Sequence, residues 1–521
     1  MKNIIYGVSL SLLCVLFAGC YEDKGNYDYV SIGNVSVDVT SGIYTYNAQL
    51  GQHLPPIAMT VTTNDVDQSQ LKYVWELKNN AVFIEIDDQR NKDFDRAFGP
   101  DDYFNTYTTY IARLKISWEE RGVEFSAYSP LINFVLSGET GLMLLHGNET
   151  ENDIGLIVDE QFMIVAETYA VPKIAYDSYS SANGGQKIPG HGIQIQQRHN
   201  QWSNATNSSV YVITDQTAFF AFSTSLIRQG EYDDLFYSRP GYIYHHGKPS
   251  KVMFNGSSNS SVIDDGMLFA NGSSNPRFAA PVELAALPDY RLSKYSDYSG
   301  VNAHFCFDEN SRRFVTIGVT SSATTATLYD SPENGPFNLN NMKADLLYLG
   351  NGGLVDAGSN YLAVMKSDAE TFIAELRTSG SDQPGDTYAR HKYLTATLPE
   401  FANARFHAFG LTNTMCYYTT ANDIYQYAVA GSSGIGNGMK LQLDGAPIAL
   451  SGEITMMKIL RPIETGASTY QYHKRMMIVG TYESGVGTLH AILLDEGSGH
   501  ALSHKTFTGF GRIYDANLKS F

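Results

Sequence analysis

Over residues 30–137 apolar and polar positions alternate with period two. Val35, Val37 and Val39 are separated by polar residues, and similar short runs follow at 57–61, 71–77, 82–86, 107–118 and 123–136. Alternation places one side of each run against a core and the other in solvent, so these runs read as strands. Six or seven of them within residues 30–137 predict a β-sandwich. Beyond residue 138 the pattern changes. A fully apolar run, a turn of Gly, Asn, Asp or Ser, and a second apolar run recur. The copies begin at Leu142, Val210, Val252, His304, Tyr361, Met415 and Met476, on average about 56 residues apart. Seven hairpins at that spacing predict a β-propeller over 138–521, with each hairpin the centre of a four-stranded blade. One blade cannot bury both its faces, whereas a ring of blades can. The repeat carries no residue signature, so a large sandwich or a β-helix is the alternative arrangement. No long helical periodicity occurs, and 283–287 suits one short turn at most.

Composition agrees with an all-β chain. Of 521 residues only 17% are charged, while Tyr reaches 35 and Gly 46. Such a chain is too apolar for disorder and too rich in turn formers for a coiled coil. The formal charge of −18 argues against a nucleic-acid partner.

The first twenty residues carry an address. Lys2 precedes an apolar stretch from Ile4 to Phe17. That stretch is shorter than the roughly 20 residues a spanning helix needs, so 1–19 reads as a secretion signal. Its end, Phe17-Ala18-Gly19-Cys20, resembles a bacterial lipobox. The resemblance implies that Cys20 carries lipid by its thiol and anchors the protein to a membrane without spanning it. Glu22 and Asp23 follow directly and resemble the surface-export tag of Bacteroides-type lipoproteins. The expected location is the outer membrane, facing the exterior.

The run CYEDKGNYDY at 20–29 resembles the opening of the PKD-like lipoproteins of Bacteroidetes, through Asp23, Lys24, Gly25, Tyr27 and Tyr29. The resemblance covers the signal, a tether at 20–29 and the domain to about residue 137. It implies a PKD- or immunoglobulin-like sandwich in which Trp75 is the core tryptophan. It also implies association with a SusC-like transporter and a SusD-like lipoprotein in nutrient uptake. It supplies no catalytic residues.

Candidate chemistry is sparse. Metalloprotease, serine-hydrolase, P-loop and dinucleotide motifs are missing from the sequence, and no cofactor or metal is expected. His245 and His246 are adjacent and point to opposite faces of a strand. His191 and His199 share a face but stand about 26 Å apart, too far for one metal. Asp87 to Asp102 is acidic without calcium-loop spacing. Ser331 to Phe337 weakly resembles the Asp-box turn of sialidase-like propellers. Cys306 and Cys416, each in an apolar strand, read as separate buried thiols, with one bridge as the alternative. A binding role has more support. Trp202 lies among amides and hydroxyls in Arg198 to Asn204, where a ring face could receive a sugar. Tyr242, Tyr244 and Tyr295 are weaker platforms of the same kind.

The expected function is therefore a non-catalytic surface lipoprotein that binds a glycan or peptide or docks on the transporter. The alternatives are a purely structural subunit of the transporter assembly and a propeller-type enzyme degrading glycans or peptides.

Overall fold

A computed structural model describes residues 33–39, 45–49, 57–79, 82–86, 89–94, 109–137, 141–162, 172–198, 209–223, 225–237, 247–254, 260–270, 277–300, 303–319, 324–329, 335–351, 360–377, 388–410, 414–429, 433–460, 472 and 474–519. The chain divides into two compact units. The first is built from the chain up to residue 134, and the second mainly from 135–521.

The first unit is a β-sandwich. One sheet pairs Asn34–Val39 with Met59–Asn64. The other runs in the order Thr45–Gln49, Ile132–Ser137, Thr109–Glu120, Lys72–Asn79, Val82–Glu85, with Val123–Tyr128 also on Thr109–Glu120. Alternation does what the pattern predicts: Ala112, Leu114, Ile116 and Trp118 are all buried, two residues apart. Trp75 is fully buried at the centre. Its indole N–H donates to the Asn91 carbonyl at 3.2 Å, and its ring meets Phe94 edge-on at 4.9 Å. Pro130 lacks the N–H a ladder needs, and the edge breaks there. Beside it the Ser129 hydroxyl accepts the Leu114 N–H at 2.9 Å.

The second unit is a seven-bladed β-propeller. Blade 1 orders Arg512–Lys519, Gly141–Gly147, Glu151–Val158 and Lys173–Ala175 from inside outward. Blade 2 follows with Gly192–Arg198, Ser209–Thr214, Ala218–Phe222 and Arg228–Glu231. Blade 3 has Pro249–Phe254, Ser260–Asp264 and Met267–Ala270, three strands among the described residues. Blade 4 has Asp297–Gly300, Ala303–Asp308, Arg313–Val319 and Thr324–Leu328. Blade 5 has Asp345–Asn351, Asn360–Lys366, Thr371–Arg377 and Ala389–Leu394. Blade 6 has Phe406–Phe409, Met415–Thr419, Ile424–Ala428 and Met439–Lys440. Blade 7 has Glu453–Ile459, Met476–Glu483, Val486–Leu494 and Ala501–Phe510.

The first strand of each blade packs beside that of the next, and the strand of blade 7 meets Arg512–Lys519 of blade 1. The ring is closed, which excludes the large sandwich and the β-helix. Closure also explains why the runs beyond 138 are continuously apolar. In Gly141–Gly147, Leu142 and Leu144 face blade 7, while Met143 and Leu145 face blade 2. Both faces of the sheet are interior. Each further junction has its own core, such as Phe305, Phe314 and Tyr361 between blades 4 and 5.

Two features differ from the sequence reading. In blade 3 the apolar runs at Val252 and Gly266 are parts of the first and third strands. Ser260–Asp264 lies between them, and its two serines and one aspartate conceal it from an apolar pattern. The second feature is a tie from the end of a blade's second strand to the segment that opens its first. In blade 3 the buried Asp264 carboxylate accepts N–H groups from Gly247 at 3.1 Å and Lys248 at 2.6 Å. Asp308 accepts from Arg291 at 2.8 Å in blade 4, and Asp215 from His191 at 2.6 Å in blade 2. Blade 1 uses His146, whose Nδ1 accepts the Gly511 N–H at 3.0 Å. The geometry repeats while the residue type does not.

Candidate functional site

All first strands begin at the same end of the ring, and the turn joining second and third strands returns to that end. The topology therefore gathers Glu453, Arg512, Arg405 and His191, which start or immediately precede the first strands of blades 7, 1, 6 and 2, with Glu149 from a blade 1 turn. Glu453 lies between two guanidinium groups. Arg405 Nη2 is 2.7 Å from one carboxylate oxygen and Arg512 Nη1 is 3.0 Å from the other. These hydrogen bonds, that of Arg512 first, hold the Glu453 carboxyl down to about 2. Arg512 reaches on to Glu149 at 4.0 Å, and Glu149 Oε2 lies 2.6 Å from His191 Nδ1. The His191 ring stands edge-on to Tyr514 at 4.5 Å. Burial, then the negative Glu149, pushes the Tyr514 phenol up to about 12, so it stays protonated and neutral.

Deeper along the first strands, polar side chains join the blades. Lys458 of blade 7 donates to Asp515 of blade 1 at 2.9 Å and to the Ala516 carbonyl at 2.7 Å. Asp515 accepts the Ile195 N–H of blade 2 at 3.0 Å, and Asn517 donates to Gln196 at 3.1 Å. The Gln194 amide bonds both backbone groups of Val252 in blade 3, accepting at 2.8 Å and donating at 3.1 Å. Glu453 and Glu149 each face a guanidinium at this end of the ring, and the Gln194 and Asn517 amides are fixed by neighbouring blades. Such an array can hold hydroxyls and amides of a ligand in a set geometry. Among the described residues no group of three or more His, Cys, Asp or Glu side chains is placed to hold a metal ion.

Cys20, Glu22, Asp23, Trp202, Tyr242 and Tyr244, singled out in the sequence, lie outside the described residues, as do His199, His245 and His246. Tyr295 is described. It is half-buried and packs edge-on against Tyr348 at 5.5 Å, a contact between blades 4 and 5. Cys306 and Cys416 are separate buried thiols in blades 4 and 6. Burial pushes the Cys416 thiol far up, which keeps it protonated and unreactive. The sequence reading missed Glu149, Arg405, Glu453, Arg512 and Tyr514. Only ring closure brings the C-terminal Arg512 beside Glu149, and no local pattern marks that meeting.

Comparison with known proteins bears on the N-terminal part. Residues 20–190 match the PKD-like family. The PKD-like match runs through the sandwich and on into the outer strands of blade 1. No curated protein matches the chain. Among solved structures, apo AztD from Citrobacter koseri is 11% identical with a TM-score of 0.32, covering 86% of this chain and 98% of its own. The periplasmic gluconolactonase PpgL of Pseudomonas aeruginosa is 12% identical with a TM-score of 0.29, covering 62% of this chain and 98% of its own. These likenesses are remote, and the propeller assignment rests on the strand order and closure described above.

Proposed function

We propose that this protein is a non-catalytic lipoprotein of the outer-membrane surface, accessory to a SusC/SusD-like nutrient uptake system. In this reading Cys20 carries the lipid and Glu22 and Asp23 direct the chain outward. The PKD-like sandwich is the spacer, and the propeller offers the mouth of its ring to a glycan, a peptide or the transporter. The observation that carries the reading is the chain Arg405–Glu453–Arg512–Glu149–His191. Its successive members lie 2.6 to 4.0 Å from one another. Arg405, Glu453 and Arg512, paired in this way, offer a ligand a fixed arrangement of charge. The lipobox resemblance and the PKD-like match over 20–190 support the address and the spacer.

The test is gentle affinity purification of the full-length lipidated protein from native outer membranes, with stoichiometric partners identified by mass spectrometry. Recovery of a transporter and a second lipoprotein is the expected result. Recovery of the protein alone, from membranes where the transporter is present, overturns the docking role.

A further inference from the structure

We propose that a cleft between the outer parts of blades 1 and 2 binds a sugar acid, a hydroxylated ring carrying one carboxylate. The cleft has a volume of about 590 Å³ and is lined by Thr150, Glu151, Gly185, Gln186, Lys187 and Arg228, among others. Sites for small polar ligands span about 300–1,000 Å³, so one or two sugar rings fit. Its lining residues are other than those of the charged chain at the mouth of the ring, although Thr150 adjoins Glu149 in one turn, and its occupation does not depend on a transporter partner.

Both cations on its wall are fixed from behind. Lys187 Nζ lies 2.9 Å from the Asp153 carboxylate, and that carboxylate is almost wholly buried. Asp153 is itself held by the N–H groups of Ile154 at 2.8 Å and of Tyr179 and Ser180 at 3.1 Å each. The Lys187 side chain is anchored at one point yet remains 46% exposed, with donors left for a ligand. Arg228 lies over the Phe219 ring at 4.5 Å and pairs with Glu231. Its backbone N–H donates to Asn183 Oδ1 at 2.9 Å. Gly184 and Gly185, both at positive φ (66° and 83°), turn the chain after the short helix Ser178–Ala182 and shape the wall between the two cations.

Lys187 and Arg228 are each balanced by one acid, Asp153 and Glu231, and what they offer a ligand is the N–H donors directed away from those pairs. They suit a carboxylate. The acceptors suit hydroxyls. The Thr150 hydroxyl gives its hydrogen to Asn148 Oδ1 at 2.9 Å and so faces a ligand as an acceptor, as does the exposed Glu151. Gln186 supplies an amide that serves either way. Glu151 also sets the charge limit. It repels a phosphate, with close to two negative charges, more strongly than a single carboxylate.

Calorimetric titration of the folded chain with glucuronate and, separately, with glucose tests the assignment. Glucuronate is expected to bind at least about tenfold more tightly than glucose, weakening with salt. Arg228→Gln is expected to lose about tenfold in affinity, with a thermal melt confirming that it folds. Lys187→Gln is less decisive because it strands the buried Asp153. Glu151→Gln removes the repulsion and is expected to tighten glucuronate binding about threefold, a gain that misfolding cannot mimic. The proposal is overturned if glucuronate fails to bind, if it binds no better than glucose, or if folded Arg228→Gln binds unchanged.

Discussion

Single residues in the sandwich can be read as physical instructions. Trp75 stands in an alternating strand, and the largest side chain there belongs in the centre, where it is found. Its neighbour on the same strand, Glu76, gives no such hint. It is nearly buried and bonds Arg113 Nε at 2.6 Å, while the Arg113 guanidinium lies over the rings of Phe83 at 3.8 Å and Tyr128 at 4.2 Å. The ladder joins three neighbouring strands and the paired edge, so its members come from residues 76–128 and no local pattern announces it. Removing the cation leaves a nearly buried carboxylate unpaired. Arg113→Ala is therefore expected to destabilise the sandwich by about 2–4 kcal/mol, with Arg113→Lys in between because it keeps charge but loses the planar fork. Denaturation followed by tryptophan fluorescence reads this directly, since Trp75 and Trp118 are two of the 3 tryptophans. An unchanged midpoint in Arg113→Ala would show that the ladder is ornamental. The candidate platforms Trp202, Tyr242 and Tyr244 belong to polar stretches whose composition suggests contact with ligand, and composition alone assigns no partner.

Elements were legible where burial is simple and hidden where polar groups do structural work. Six of the seven apolar hairpins are the second and third strands of a blade. The exception, blade 3, has a second strand that begins with two serines and ends on the buried Asp264. Blade 7 hides a polar cluster of another kind. Buried His490 lies 3.0 Å from Thr481 Oγ1 through Nε2 and 2.9 Å from His504 Nε2 through Nδ1. Burial first, then the neighbouring imidazole, brings His490 down to about 4, and burial lowers His504. Both groups hold protons less readily folded than unfolded. Their contribution is fully present above the unfolded value of about 6.5 and is lost as pH falls toward 4. The melting temperature is expected to drop between pH 7 and 4.5. His407 and His146 are lowered by burial as well and act in the same window. The blade 7 share is therefore the difference between the parent and His490→Gln, whose profile should be flatter. Parallel profiles for the two proteins would remove the pair from the account.

At the scale of the molecule the ring was legible as a number of repeats but not as a closure. Spacing suggested seven units, yet nothing in Arg512–Lys519 shows that it completes the blade begun by Gly141–Gly147. The two strands pair in antiparallel register, Leu144 with Ala516 and Leu142 with Leu518, after a separation of more than 350 residues. Gly141–Gly147 is apolar and Arg512–Lys519 is mixed, and many other strands would suit either one by pattern alone. What selects the pairing is geometry, because only this strand ends the chain where blade 7 still needs a neighbour. The same strand carries Arg512, Tyr514 and Asp515, so closure and the mouth of the ring form together. Ile513 and Ala516 are fully buried in the core shared by blades 7 and 1. Deleting residues 512–521 would uncover that core and the face of blade 1 toward blade 2, and would remove the partner of Lys458. The truncated chain is expected to lose the cooperative melt of the propeller and to become sensitive to protease beyond residue 141, while Trp75 keeps its buried emission. Ala516→Asp is the milder form, placing an unpaired charge at a fully buried position at a cost of several kcal/mol. If the truncated protein melted like the parent, the C-terminal strand would be an accessory to a ring held by other contacts, and the assembly of the mouth would need a different explanation.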